Sequence, residues 1–193
     1  MNGSTSEAVA RPVSPAAPVG VKRLSLDDLS AAKRWDAFVE GCPQATFFHR
    51  AAWQRILREV FGHRTHFLFA ERAGVVEGVL PLAQVKSLLF GNSLVSLPFA
   101  VYGGIAASDT AAATALEREA QALARQLGVG HLEFRNISPR HPEWPRQDLY
   151  VRFRKEMAPE VEANLLAIPR KQRAMVRKGI RNGLRSEIDH DAS

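Results

Sequence analysis

Four arginines near the C-terminal end, Arg170, Arg173, Arg177 and Arg181, recur at intervals of three and four residues. At about 100° per residue on a helix, that spacing aligns them in one stripe, with Lys171 and Lys178 flanking it. Met175, Val176 and Ile180 fall on the other side, the side by which such a helix packs on a domain. No carboxylate lies between Glu162 and Glu187 to neutralise the run. Planar, forked guanidinium donors in a row suit an anion, above all phosphate oxygens. Pro169 fits a first helical position, where its missing N–H is no loss. Gly183 fits the residue past the last turn, where a left-handed backbone is wanted. A solvated charge run with no ligand is the simpler reading of the same residues.

Other candidates are more local. In Tyr102-Gly103-Gly104 two glycines follow a strand, which lets a backbone approach a ligand closely while the tyrosine orients it. An ordinary turn explains them equally well. Arg55 and Arg58, on the helix that carries Trp53, are further possible phosphate contacts. Arg125-Gln-Leu-Gly-Val-Gly130 has the R-x-x-G-x-G spacing of a coenzyme A pyrophosphate loop. Such a loop works at a helix N-terminus, where N–H groups converge, but here it falls at a helix C-terminus. Gly128 is therefore read as a helix cap. Glu133 and Arg135 share a strand face and are read as an ion pair. His63 and His66 point to opposite faces of a strand, no histidine spacing suits a metal, and Cys42 alone cannot complete a structural zinc site. No metal is expected, and no serine–histidine–aspartate signature is present.

The elements that must position these residues follow from pattern. Val21–Leu24 reads as a first strand, and Asp27-Asp28 as the N-cap of a helix running to Gly41. A second helix is expected from Phe47 to Gly62. Thr65–Arg72 and Val75–Val85 read as an antiparallel hairpin turning at Ala73-Gly74, with Leu94–Leu97 as a third strand. Ser108-Asp109 caps a long helix ending at Gly128, His131–Arg135 is a strand, and Leu149–Lys155 another. Pro159–Leu166 is a helix leading into the basic one. Residues 87 to 108 carry no formal charge, but their glycines and Pro98 favour two strands around a turn over a membrane span. With 193 residues and 46% hydrophobic content, one full domain plus an appendage is expected. The net charge of +6 points to anionic partners, and a single cysteine fits a reducing compartment. The expected class is α/β (α+β), with a mixed, largely antiparallel sheet flanked by helices. Residues 1–20 read as a disordered leader, 21–157 as the domain, and 158–193 as a linker helix, the basic helix and the start of a second domain.

Taken together, several segments resemble the FemAB family of peptidyltransferases, in particular the group found with exosortase/PEP-CTERM exopolysaccharide systems. They are Trp35-Asp-Ala-Phe38, Ala45-Thr-Phe-Phe-His-Arg-Ala-Ala-Trp53, Phe61-Gly-His63 and Gly78-Val-Leu-Pro-Leu82. Further on come Leu94-Val-Ser-Leu-Pro-Phe99, Tyr102-Gly-Gly104, His131-Leu-Glu-Phe-Arg135 and Ile168 to Gly179. They run in order along nearly the whole chain after the leader, and they are specific as a set rather than singly.

The resemblance implies two fused acetyltransferase-like (GNAT) domains, of which this chain holds the first and the truncated start of the second. It implies transfer of an amino acid or other acyl group to an amine on a cell-envelope or exopolysaccharide-related acceptor. No bound cofactor is implied; aminoacyl-tRNA or another activated acyl donor is a co-substrate. The expected partners are tRNA, a phosphate-bearing lipid-linked or sugar acceptor, and the missing second domain in cis or in trans. Arg170, Arg173 and Arg177, with Arg55 as a weaker contact, would hold phosphates, while Tyr102, Gly103 and Gly104 would line the cleft. The expected location is cytoplasmic, with peripheral contact at an anionic inner membrane. The competing class is a non-catalytic basic module that binds nucleic acid or anionic membrane through the 169–182 helix.

Overall fold

A computed structural model describes residues 17–87, 91–147 and 153–187. The chain divides into two compact units, Met1–Glu143 and Trp144–Ser193. The first unit is built on a sheet whose strands are β1 (Gly20–Arg23), β2 (Arg64–Arg72), β3 (Val75–Ser87), β4 (Gly91–Ser96), β5 (Ala106–Ala107) and β6 (His131–Glu133). The order is β1-β2-β3-β4-β6, with β5 also pairing β3. Every pairing is antiparallel except β4 with β6. The fold is thus mixed α/β, with a largely antiparallel sheet flanked by helices.

Side-chain alternation along β2 divides the core in two. Phe67 and Phe69 face α1 (Leu29–Gly41) and α2 (Ala52–Glu59), where they pack with Trp35, Val39 and Leu57. Leu68 and Ala70 face α3 (Thr110–Leu127) and join Leu80, Leu82 and Leu94. The buried stripe of α3 is Ala112, Ala113, Leu116, Ala120 and Leu123, mostly small residues that let the helix lie close to the sheet.

Helix boundaries follow their caps. Asp28 Oδ1 accepts from Ala31 N–H at 2.8 Å and starts α1, and Asp109 Oδ1 accepts from Ala112 N–H at 2.7 Å and starts α3. The helix expected from Phe47 to Gly62 is broken. A 3₁₀ turn at Phe47–His49 is followed by Arg50 with an extended backbone, and α2 begins only at Ala52. Asp36 Oδ1 accepts from Ala51 N–H at 2.8 Å, so a side chain on α1 restarts the helix. Two-residue β5 lies inside the uncharged stretch 87–108 and has too little pattern to be seen in sequence. That stretch is strand and loop wherever it is described. Among the described residues no helix is long and apolar enough to cross a membrane.

The second unit contains α4 (Val161–Leu166) and α5 (Arg170–Arg181). Pro169 is the N-cap of α5 rather than its first residue, and its carbonyl accepts from Arg173 N–H at 3.0 Å. Gly183 takes φ 73°, and the bonds Gly183 N–H to Ile180 O and Leu184 N–H to Gly179 O close the helix as expected. Asn164 holds the entry to α4 by bonding both Ala158 N–H and Ala158 O. The expected strand 149–155 falls largely outside the described residues, and 153–155 is not strand. Most of the leader also lies outside them.

Trp35 is fully buried, stacks on Phe67 at 5.4 Å, and donates its indole N–H to His49 O at 2.6 Å. Trp35→Phe removes that donor, strands a buried carbonyl and leaves a small void. It should destabilise the protein by about 2–4 kcal/mol, read as a lower urea midpoint with an unchanged m-value.

Candidate functional site

The parallel ladder between β4 and β6 is three residue pairs long and ends at Val95 opposite Glu133. Beyond it the strands part. Ser96 Oγ, rather than a backbone carbonyl, accepts from Arg135 N–H at 2.7 Å. The segment Leu97–Ile105 lies against the mouth so formed. It opens with two left-handed non-glycine residues, Leu97 at φ 51° and Phe99 at φ 69°, a backbone that side-chain-bearing residues adopt only under constraint. Arg135 holds this segment from the β6 side. Its carbonyl accepts from Gly103 N–H at 3.3 Å and Gly104 N–H at 3.1 Å, and its Nη1 donates to Ala100 O at 2.9 Å. The expected ion pair is present, with Arg135 Nε to Glu133 Oε1 at 2.7 Å.

The other side is held by His49. Thr46 N–H donates to Nδ1 at 3.0 Å, so Nδ1 is the acceptor and Nε2–H must donate to Gly104 O at 3.0 Å. Burial holds the His49 pKa below its ordinary value, which keeps this neutral tautomer. Sequence reading gave His49 no role. The signal available was its place three residues after Thr46, the spacing of a capping box with histidine in the glutamate position.

The close approach that Gly103 and Gly104 permit is to their own chain. A Cβ on Gly104 would collide with Asn136, whose backbone Cα and N would lie 2.8 and 2.9 Å away. A Cβ on Gly103 would collide with Leu97. Tyr102, half-buried, precedes them at the rim. Near it, Phe99 is 61% exposed and stacks on Phe61 at 4.4 Å and on His63 at 5.6 Å.

The arginines fall in separate places. Arg55 lies on the exposed side of α2, with Nε 3.6 Å from Glu59 Oε1, so it already faces a carboxylate. In the second unit Arg170, Arg173 and Arg177 do come together: with Ala174 and Arg181 they line a shallow hollow of about 310 Å3. Arg173 also donates to Leu166 O at 3.3 Å, tying the end of α4 to the start of α5. Met175, Val176 and Ile180, expected to be covered, are exposed.

The R-x-x-G-x-G segment closes α3. Gly128 sits at φ 59°, and Gly128 N–H and Val129 N–H cap the carbonyls of Arg125 and Ala124. At the other end of α3 the Asp109 carboxylate occupies the N-cap and pairs with Arg72 at 3.0 Å. A pyrophosphate would meet the negative end of the helix dipole at one end and a carboxylate at the other, so neither end fits coenzyme A. Among the described residues no three or more His, Cys, Asp or Glu side chains form a group able to hold a metal ion.

No protein-family model matches the chain, and no curated protein matches its sequence. Several solved structures are similar. A GNAT family acetyltransferase from Staphylococcus aureus aligns over 72% of this chain and 99% of its own, at 9% identity and TM-score 0.48. A probable acetyltransferase aligns over 73% and 99% (14% identity, TM-score 0.43). An aminoglycoside 6'-N-acetyltransferase from Acinetobacter haemolyticus aligns over 72% and 99% (14% identity, TM-score 0.44).

Gly104→Ala should cost about 1–3 kcal/mol by overpacking, seen as a lowered melting temperature. Asn136→Ala should not rescue it, because the obstruction includes backbone. A second expectation concerns pH. His49 is held down by burial, and His66 is held down to about 4 by burial and by the charges of Arg23 and Arg64. Between about pH 4 and 6.5 the unfolded chain therefore binds more protons, and stability falls as pH drops through that window. From pH 7 to pH 5 His66 alone should remove about 2 kcal/mol, and His66→Gln should flatten the profile by that amount in urea titrations. His141, raised by Glu117 and Glu143, acts in the opposite sense but is partly exposed and screened.

Proposed function

We propose that this chain is the N-terminal portion of an acyl transferase of FemAB type. It would act in the cytoplasm on an amine of a cell-envelope or exopolysaccharide precursor. The observation that carries this is the junction at which parallel β4 and β6 part, in an otherwise antiparallel sheet with α3 as the crossover. A mixed, largely antiparallel sheet flanked by helices is what the GNAT-like half-domain implied by the sequence resemblance requires, and the junction supplies the opening in it. The strained turn at Leu97–Phe99 lies beside it, and strain of this kind collects at functional sites. Tyr102 would line the cleft on this side, with Gly103 and Gly104 packed behind it.

The chemistry is direct aminolysis. The acceptor amine attacks the ester carbonyl of the donor, the C–N bond forms, the C–O bond to the carrier breaks, and the amine proton leaves with the carrier hydroxyl. The enzyme aligns the two reactants and stabilises the oxyanion. No enzyme nucleophile is needed, in keeping with a sequence that offers none. The donor would be aminoacyl-tRNA or another activated acyl carrier, and completion of the site would require the second domain, in cis or in trans.

Arg170, Arg173 and Arg177, with Arg181, would hold phosphates of the donor or of a lipid-linked or sugar acceptor. Support comes from their convergence on α5 with no carboxylate among the residues that line their hollow. If four phosphates are contacted, tRNA affinity should fall about a hundredfold between 50 and 200 mM salt. Arg173→Ala with Arg177→Ala should reduce the salt slope by about 2. Filter binding over that range is the check, and full affinity in the double variant would remove the assignment.

A further inference from the structure

At the end of the sheet where β1 leads into α1 and α2 leads into β2, the first unit encloses a cleft of about 820 Å3. Its lining includes Arg23, Asp27, Arg58, Arg64, Thr65 and His66. Three guanidiniums thus line it against the single carboxylate of Asp27. Arg23, Arg58 and Arg64 make no ion pair among the described residues, whereas Arg34, Arg50, Arg72, Arg135 and Arg140 all do.

The neutral groups here are also unsatisfied. His66 is 4% exposed and neither ring nitrogen has a hydrogen-bond partner, and Thr65 Oγ1 is buried without one. Thr65 and His66 point to opposite faces of β2, so one ligand does not meet both; His66, whose protonation Arg23 and Arg64 disfavour, instead reports any anion placed beside those two cations.

We propose that this cleft binds a phosphate group, with Arg23, Arg58 and Arg64 as its charged donors. The number of donors selects the ligand. Three forked guanidiniums offer more donors than the two oxygens of a carboxylate can accept, whereas a phosphate has three or four oxygens to share. The volume is that of a small-molecule site and leaves room for an organic group beyond the phosphate. A phosphate would also offset the charges of Arg23 and Arg64 that now disfavour protonation of His66. Binding should therefore raise the pKa of His66, which a purely structural histidine would not show.

The test is an NMR titration of the intact chain at constant ionic strength, carrying Arg173→Ala and Arg177→Ala to weaken phosphate binding at α5. The probes are inorganic phosphate, glycerol phosphate and acetate, read at the His66 ring nitrogens. Saturable shifts with an upward move of the His66 pKa are expected for phosphate and not for acetate. Glycerol phosphate binding at least as tightly assigns the cleft to phosphate esters, and binding of inorganic phosphate alone assigns it to the free ion. Arg58→Gln and Arg64→Gln, both at exposed positions, should each weaken binding about tenfold or more with unchanged circular dichroism. An unmoved His66 signal, equal binding of acetate, or folded variants with undiminished affinity would overturn the proposal.

Discussion

One buried imidazole ties the first unit together. His49 accepts from Thr46 N–H, donates to Gly104 O, and through its own carbonyl receives the indole of Trp35. Those three bonds join the turn after α1, the core face of α1 and the segment that follows β4. The arrangement requires the neutral ring with its proton on Nε2, because a backbone N–H can only donate to Nδ1. Burial enforces that state by penalising the charged form. The same constraint fixes the depth of the Gly103-Gly104 segment, leaving space for a hydrogen where any other residue would carry a Cβ.

Four of the eight segments singled out in the sequence meet around this histidine. Trp35 and Asp36 come from one, Thr46 to Ala51 from another, Gly103 and Gly104 from a third, and Arg135 from a fourth. Their residue types are set by hydrogen bonds and close packing within the chain. What they carry is therefore mainly a framework, and a framework can be shared by proteins that act on different acceptors. The glycines illustrate the difference. Read alone, Tyr102-Gly-Gly104 suggests a backbone offered to a ligand. In the fold both N–H groups face Arg135 O, so any ligand role belongs to the rim formed by Tyr102 rather than to the glycine amides.

Charge is distributed by a similar logic. Several arginines of the first unit are matched, such as Arg72 with Glu77 and Asp109, Arg135 with Glu133, and Arg140 with Glu117. Unmatched guanidiniums gather in a hollow at two places, the end of the sheet around His66 and the face of α5. The first gathers three cations in a cleft. The second is an open row of cations on a helix surface, suited to an extended anionic backbone.

Sequence alone determined the elements whose signals are local. Asp28 and Asp109 as caps, Gly128 and Gly183 as left-handed stops, the Ala73-Gly74 hairpin and the arginine stripe of α5 all follow from chemistry within a few residues. So does dismissal of the R-x-x-G-x-G segment as a coenzyme A loop, because helix polarity is fixed by chain direction. Tertiary structure decided what depends on partners distant in the chain. The break between Phe47 and Ala52 requires Asp36 from α1, and the role of His49 requires Gly104, fifty-five residues away. The burial of His66 beside Arg23 and Arg64 requires β1 to lie against β2, a pairing that no spacing along the chain encodes. Local patterns record backbone preference and amphipathicity, whereas the placing of a buried polar atom depends on which distant group comes to meet it.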